Sequence, residues 1–279
     1  MPLNTLNAAP LLTPEQVQAT IVRPVTTGSV ATQVSTVVTS TSKSTRFPLV
    51  VSDPTAAGVA EGQEIPFSSL GTDAVTVVPF KLAVLDSITR EAIEDSDDAA
   101  LDLTAARMAE AIAKRLDAGF FSAAAAGVVQ AGIGAVAGVS TVDAGETWSS
   151  VDPFVDALAE AEGVGATVDA FVANPADARA LAKLKQATGS NLPLFSGDPT
   201  VPTRRVVLGV PLFVTPAVPA GTVWGIPRAR SFVVIRDEVR VETDGSPLFT
   251  KDSVAVRTTM RVGYAWPHAA AVVKVALSS

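Results

Sequence analysis

Residues 61–121 read EGQEIPFSSLGTDAVTVVPFKLAVLDSITREAIEDSDDAALDLTAARMAEAIAKRLDAGFF, a succession of distinct local signals. Gly62, Pro66 and Gly71 punctuate an acidic loop that carries Glu61 and Glu64. Ala74–Leu85 (AVTVVPFKLAVL) is β-prone, and Pro79 inside it lacks an N–H, which predicts a strand at a sheet edge. A charged linker with Arg90 and Glu91 follows. Leu101, Ala105, Met108, Ile112 and Leu116 then recur at spacings of three and four, the pattern of one apolar stripe on a helix. That helix is expected over residues 98–122, a length of about 37 Å at 1.5 Å per residue. Asp95, Ser96, Asp97 and Asp98 place capping groups and negative charge at its start, and Lys114 and Arg115 lie toward its end, as the helix dipole prefers.

Upstream, Phe47–Val51 (FPLVV) is a second β-prone run, separated from Ala74–Leu85 by Pro54, Gly58, Gly62, Pro66 and Gly71. Together they predict a long two-stranded excursion from the body. Residues 1–46 are rich in Thr, Ser and Val, and TTGSVATQVSTVVTSTSKSTR suggests an extended, partly polar arm that cannot form a core alone. Downstream, Pro153–Glu162 is amphipathic, and Val168–Ala173 reads as a short strand. Asn174-Pro175 reads as an N-cap followed by Pro at the first helical position, opening a helix that runs through ADARALAKLKQ and stops before Gly189. Short strands are expected at Val206–Leu208, Leu212–Thr215 and Thr222–Trp224. Val233–Glu242 and Val254–Val262 alternate apolar with polar residues, which predicts half-buried antiparallel strands. Their connector, TDGSPLFTKD, is too long for a tight hairpin and should project as a loop. Ala269–Ala276 is expected as a final apolar strand.

Composition bounds the function. The chain has 279 residues, 48% hydrophobic and only 18% charged, enough to bury a sizeable core built mostly of Ala and Val. A net charge of −7 argues against general nucleic-acid binding, which needs clustered Lys and Arg. The absence of Cys removes disulfides, thiol nucleophiles and thiolate metal sites. MPLNTLNAAPLLTPEQ lacks the basic and apolar regions of a secretory signal. Ala123–Val139 contains Gln130 and four Gly with no Leu or Phe, so no membrane span is expected there.

Chemical motifs are weak. Gly132-Ile133-Gly134-Ala135-Val136-Ala137 fits a dinucleotide fingerprint, but it follows a helix where the motif needs a strand before it and a helix after it. Counting a calcium loop from Asp95 places Ala100 and Ala106 where Gly and Glu are required. His268 is the single histidine, with no G-x-S-x-G elbow anywhere, so a structural role is expected. Glu61 and Glu64 lie in a loop, a poor place for the fixed separation of paired catalytic acids. What remains concerns shape: an arm and a loop that cannot bury their apolar residues within one subunit, and that association would bury.

The order of these pieces resembles the major capsid protein of tailed bacteriophages, the Hong Kong 97-type shell fold. The resemblance is carried by AEGQEIPFSSLGTDAVTVVPFKLAVLDSITREAIEDS and the helix after it. VDAFVANPADARALAKLKQATG, LGVPLFVTPAVPAGTVWG and SVAVRTTMRVGYAWPHAAAVVKV extend it over nearly the whole chain. It implies an α+β fold with an N-terminal arm (1–47) and an extended β-hairpin loop (48–80). It further implies a peripheral domain with a long spine helix (81–144 and 228–262) and an axial domain (145–227 and 263–279). The implied function is structural: hexamers and pentamers closing an icosahedral phage head around double-stranded DNA, in the virion, after assembly in the host cytoplasm. No enzyme activity, cofactor, metal or membrane is expected. An encapsulin-type bacterial nanocompartment shell is the alternative with the same fold.

Some members of the family cross-link covalently through a loop Lys and a neighbour's Asn. Here residues 48–80 contain no Lys, and no Asn follows Asn191, so a non-covalent shell is expected. No long acidic helical segment precedes the arm, which makes a separate scaffolding protein the expectation, along with a portal and possibly a decoration protein. Glu61, Glu64, Arg90, Glu91, Arg107 and Lys114 are the candidate intersubunit contacts.

Overall fold

The computed structural model describes residues 28–52, 55–64, 66–69, 71–95, 99–187, 190, 194–195 and 205–278. Two sheets and one long helix share a continuous core. The first sheet has four strands in the order β1 (Thr36–Thr39), β10 (Phe232–Asp244), β11 (Ser253–Ala265) and β4 (Phe80–Thr89). The second has six, in the order β5 (Ser140–Asp143), β12 (Val273–Ala276), β9 (Thr222–Ile226), β6 (Ala170–Ala173), β8 (Val210–Val214) and β7 (Val206–Val207). The remaining strands, β2 (Thr45–Ser52) and β3 (Gly71–Val77), pair only with each other.

The long helix is α3 (Ala99–Phe120), and its stripe lies where the spacing placed it: Ala105, Met108, Ile112 and Leu116 are all buried. Each large aliphatic side chain so buried contributes about 1.5–3 kcal/mol. The stripe packs on the inner face of the four-stranded sheet, against Leu82, Val239, Met260 and Val262. At its C-terminal end Phe120 meets Tyr264 edge-on at 5.4 Å, and the Tyr264 hydroxyl donates to the Leu116 carbonyl at 3.0 Å.

Gly132 closes this corner. A Cβ there would stand 2.3 Å from the carbonyl oxygens of both Gly119 and Phe120. The Gly132–Ala137 segment is therefore a loop and a single 3-10 turn wedged against a helix C-terminus, with no phosphate-binding helix after it. No helix among the described residues is long and apolar enough to cross a membrane.

The six-stranded sheet is buried on both faces. Ala170, Val172, Trp224 and Ile226 point toward the long helix, while Phe171, Ala173 and Val223 point into a second cluster beneath α4 (Asp152–Gly163) and α5 (Pro175–Ala182). Helix α5 begins as its sequence demands: the Asn174 side chain accepts from Ala176 N at 3.0 Å, and Pro175 occupies the first turn.

Several local expectations are corrected. Residues 30–34 form a short helix, α1 (Val30–Val34), instead of an extended arm, because a carboxylate from the long helix captures its free N–H groups. Thr36–Thr39 is extended and pairs in parallel with β10. The charged linker is also helical, α2 (Arg90–Asp95), anchored where Arg90 N donates to the Asp252 carbonyl.

The Ala74–Leu85 run breaks at Val78-Pro79 into β3 and β4, since Pro79 has no N–H to continue a ladder. Both pieces are edge strands. Helix α5 ends at Ala182, short of Gly189, and Ala269–Ala271 is a 3-10 turn ahead of β12. The strand at Val206 and Val207 turns back through Leu208 and Gly209, both at positive φ, so Val210-Pro211 lies within β8 instead of splitting strands. The Ser96–Asp98 cap lies outside the described residues.

Sheet membership also places Ser140–Asp143 with the six-stranded sheet, and Gly263–Ala265 with the four-stranded one.

Candidate assembly surfaces

The β2–β3 hairpin leaves the body over the outer face of the four-stranded sheet. Its root is a small apolar cluster: Val77, Val234 and Ala265, flanked by Phe47, Val75 and Phe232, with the Phe47 and Phe232 rings stacked at 4.8 Å. Gly263 permits this crossing, since a Cβ there would lie 2.5 Å from Val77 Cγ1. Beyond the root the hairpin carries a loop, residues 55–69, whose described residues are all exposed. Phe67 is fully open to solvent. An aromatic ring in that position buries no apolar surface within its own chain.

Glu61 and Glu64 lie in this loop, both exposed. Arg90 and Glu91 sit on α2, where Arg90 pairs with Asp252 at 3.5 Å. Arg107 and Lys114 sit on the exposed side of α3, and both reach Glu110, at 3.0 and 2.7 Å. Those two cations hold the Glu110 carboxyl below its ordinary range, Lys114 contributing most. The six candidate residues thus occupy three separate places. Three are engaged by their own chain, and Glu61, Glu64 and Glu91 have no ion-pair partner among the described residues.

A junction that sequence reading missed ties the N-terminal segment to the long helix. Asp117, almost wholly buried, accepts from Ser29 Oγ at 2.6 Å, Val30 N at 3.1 Å and Ala31 N at 2.9 Å. Burial pushes its carboxyl above the usual range, with the three donors pulling the other way. The buried Tyr264 hydroxyl is raised too, by burial and then by the nearby Asp117 charge. Only Ser29, a good cap immediately before Val30–Val34, hinted at this junction in the sequence. The acid that completes it comes from 88 residues away. His268 is half-buried beside Arg230, and burial followed by that charge lowers its pKa.

A two-sheet body braced by one long helix thus carries a projecting hairpin with an exposed aromatic in its loop. The chain matches the model of the phage capsid family over residues 10–277, and it belongs to that family. Its fold is shared with the capsid of an empty GTA particle (TM-score 0.73, 21% identity, 88% of this chain and 89% of that one). It is likewise shared with a chain from Mycobacterium phage Bobi (TM-score 0.73, 21% identity, 90% and 91%) and one from Microbacterium phage Oxtober96 (TM-score 0.72, 17% identity, 90% and 91%). No curated protein matches the sequence. The protein is therefore a structural capsid protein of α+β, Hong Kong 97-type fold, a component of the virion shell.

Proposed function

We infer that this chain is the major capsid protein that assembles as hexamers and pentamers into an icosahedral head around double-stranded DNA, held without covalent cross-links. The observation that carries this reading is the hairpin loop, in which Phe67 and two acids are exposed and belong to none of the apolar clusters among the described residues. The four-stranded sheet with the long helix forms the peripheral domain, and the six-stranded sheet forms the axial domain.

Glu61, Glu64, Arg90, Glu91, Arg107 and Lys114 serve at subunit boundaries, where Arg90, Arg107 and Lys114 exchange or share their present partners. Each exposed pair is weak, about 0–1 kcal/mol, but is repeated at every contact of the shell. A scaffolding protein and a portal complete the assembly in the host cytoplasm, with a decoration protein as an optional addition. The net charge of −7 suits a wall that does not grip packaged DNA.

Expression of the chain followed by electron microscopy tests this directly: closed shells are expected. Deletion of residues 55–70 should leave a folded subunit that builds none. Normal particles from the deletion would overturn the reading of the loop. Heat-denatured wild-type particles should run as one monomer band on a gel, and a ladder of multiples would overturn the non-covalent assignment.

A further inference from the structure

Residues 28–39 lie across the body as a strap, helix α1 followed at once by strand β1. At one end the Asp117 carboxylate takes Ser29 Oγ, Val30 N and Ala31 N, and Ser29 Oγ in turn accepts from Thr32 N. At the other end β1 runs parallel to β10, with Thr36 N donating to the Ser231 carbonyl at 2.8 Å and Ser40 N to the Ile235 carbonyl at 3.0 Å. Residues 41–44, which follow, are exposed.

The two ends are mechanically joined. Ser35, fully buried, is the one residue between α1 and β1, so neither element lifts without pulling on the other. Five residues are too few for a helix to persist by itself, and α1 has three of its opening N–H groups held by the carboxylate and by Ser29. Loss of the carboxylate removes that support and leaves β1 with a ladder of four residues at the sheet edge, where Val37 is already exposed.

The strap contributes little to the core. It places Ala31 and Val34 in the main cluster, while the large side chains there, Phe80, Phe120, Tyr264 and Trp266, pack on one another. An open groove of about 580 Å³, bounded by Gly28, Val30, Lys114, Asp117 and residues 214–217, runs beside the first turn of α1. Few buried contacts and solvent at the flank are the marks of a unit that opens at less cost than global unfolding.

We propose that residues 28–39 open and close on the body as one unit, hinged at residues 40–44, with the Asp117 carboxyl as the latch. Opening turns β10 from an inner strand into a sheet edge and frees the Ser231 and Ile235 carbonyls, the kind of edge that accepts an added strand. The device belongs to the single chain and is independent of how subunits assemble.

Proton binding adjusts the latch. Residues 28–39 bring no titratable group to Asp117, and residues 214–217 bring none either. The groups around it are Tyr264 from β11 and Glu110, Lys114 and Arg115 on its own helix. Burial raises the carboxyl above its ordinary range, and opening returns it to solvent. The closed strap therefore holds the proton more tightly, and opening becomes easier as pH rises through the closed-state pKa.

Hydrogen exchange read by mass spectrometry on the folded full-length chain tests this. In wild type, residues 30–35 and 36–40 should share one protection factor, at least about tenfold below that of residues 254–262 in β11. Asp117→Asn, at the α1 end, should speed exchange of 36–40 as much as that of 30–35, by about tenfold. Thr36→Pro, at the β1 end, should also speed both; Ser35 is extended, as a residue before proline requires. In either variant residues 254–262 should stay within about threefold of wild type. After correction for intrinsic rates, protection of 30–40 relative to 254–262 should fall from pH 4 to pH 7 in wild type and stay level in Asp117→Asn. Ser29→Ala, which keeps the carboxylate, repeats the α1-end test if Asp117→Asn fails to fold.

Exchange that speeds only at the altered end overturns the single unit. A wild-type strap protected as strongly as β11, or loosening that spreads equally to 254–262, overturns the separate opening. A pH profile shared by wild type and Asp117→Asn overturns the latch.

Discussion

Removal of the Asp117 carboxylate is the perturbation that most directly probes how the N-terminal segment is held. Asp117→Ala leaves the Ser29 hydroxyl and the N–H groups of Val30 and Ala31 without their acceptor, and all but Val30 are buried. A lost helix cap costs about 0.5–2 kcal/mol, and each buried donor left unpaired about 1–3 kcal/mol. Water reaching the gap recovers part of this, so the expected loss is about 2–4 kcal/mol. Asp117→Asn keeps one acceptor oxygen but turns an amide toward a donor, and should lose about half as much.

Ser29→Ala removes the shortest of the three bonds together with the helix cap its hydroxyl offers Thr32 N at 3.5 Å. It should be non-additive with Asp117→Ala, because both delete the same contact. Urea unfolding of unassembled subunits measures all four.

The pH dependence follows from the raised carboxyl. With the folded pKa above the unfolded value, the stabilisation is fully present below the unfolded pKa near 3.8 and is lost as pH rises through the folded pKa. The advantage of wild type over Asp117→Asn should therefore grow as pH falls from 7 toward 4. A cost below about 0.5 kcal/mol for Asp117→Ala, strict additivity with Ser29→Ala, or an advantage that shrinks on acidification would refute the reasoning.

Three further substitutions separate kinds of packing. Gly263→Ala should destabilise by about 1–3 kcal/mol through the collision with Val77, and Val77→Ala on the same chain should relieve part of it, as read by thermal unfolding. Gly132→Ala meets two backbone carbonyls that no side-chain change can move, so its cost should lie at or above the top of that range and no partner substitution should rescue it. Asn174→Ala removes both the α5 cap and the 2.7 Å bond from its side-chain amide to the Val218 carbonyl, for about 1.5–3 kcal/mol. Asn174→Asp keeps the cap and should fall between Ala and wild type.

Elements with a strong local pattern were legible from the chain alone. The α3 stripe, the Asn174-Pro175 helix start, the alternation of β10 and β11 and the two-stranded hairpin all stand where periodicity, capping and turn residues placed them. These follow from side-chain spacing and backbone chemistry within a few residues, which a sequence displays directly. Tertiary structure decided what depends on residues far apart. Val30–Val34 is helical because Asp117 reaches it, and Gly263 and Gly132 are required because other segments of chain cross them. The candidate contacts show the same division. Exposure of Glu61 and Glu64 could be read from their loop, but the capture of Arg107 and Lys114 by Glu110 needed side-chain conformations on the folded helix. The mixed-charge outer face of the four-stranded sheet existed only once β4, β10 and β11 were placed in register, since no window of sequence holds Lys81, Arg240 and Arg257 together.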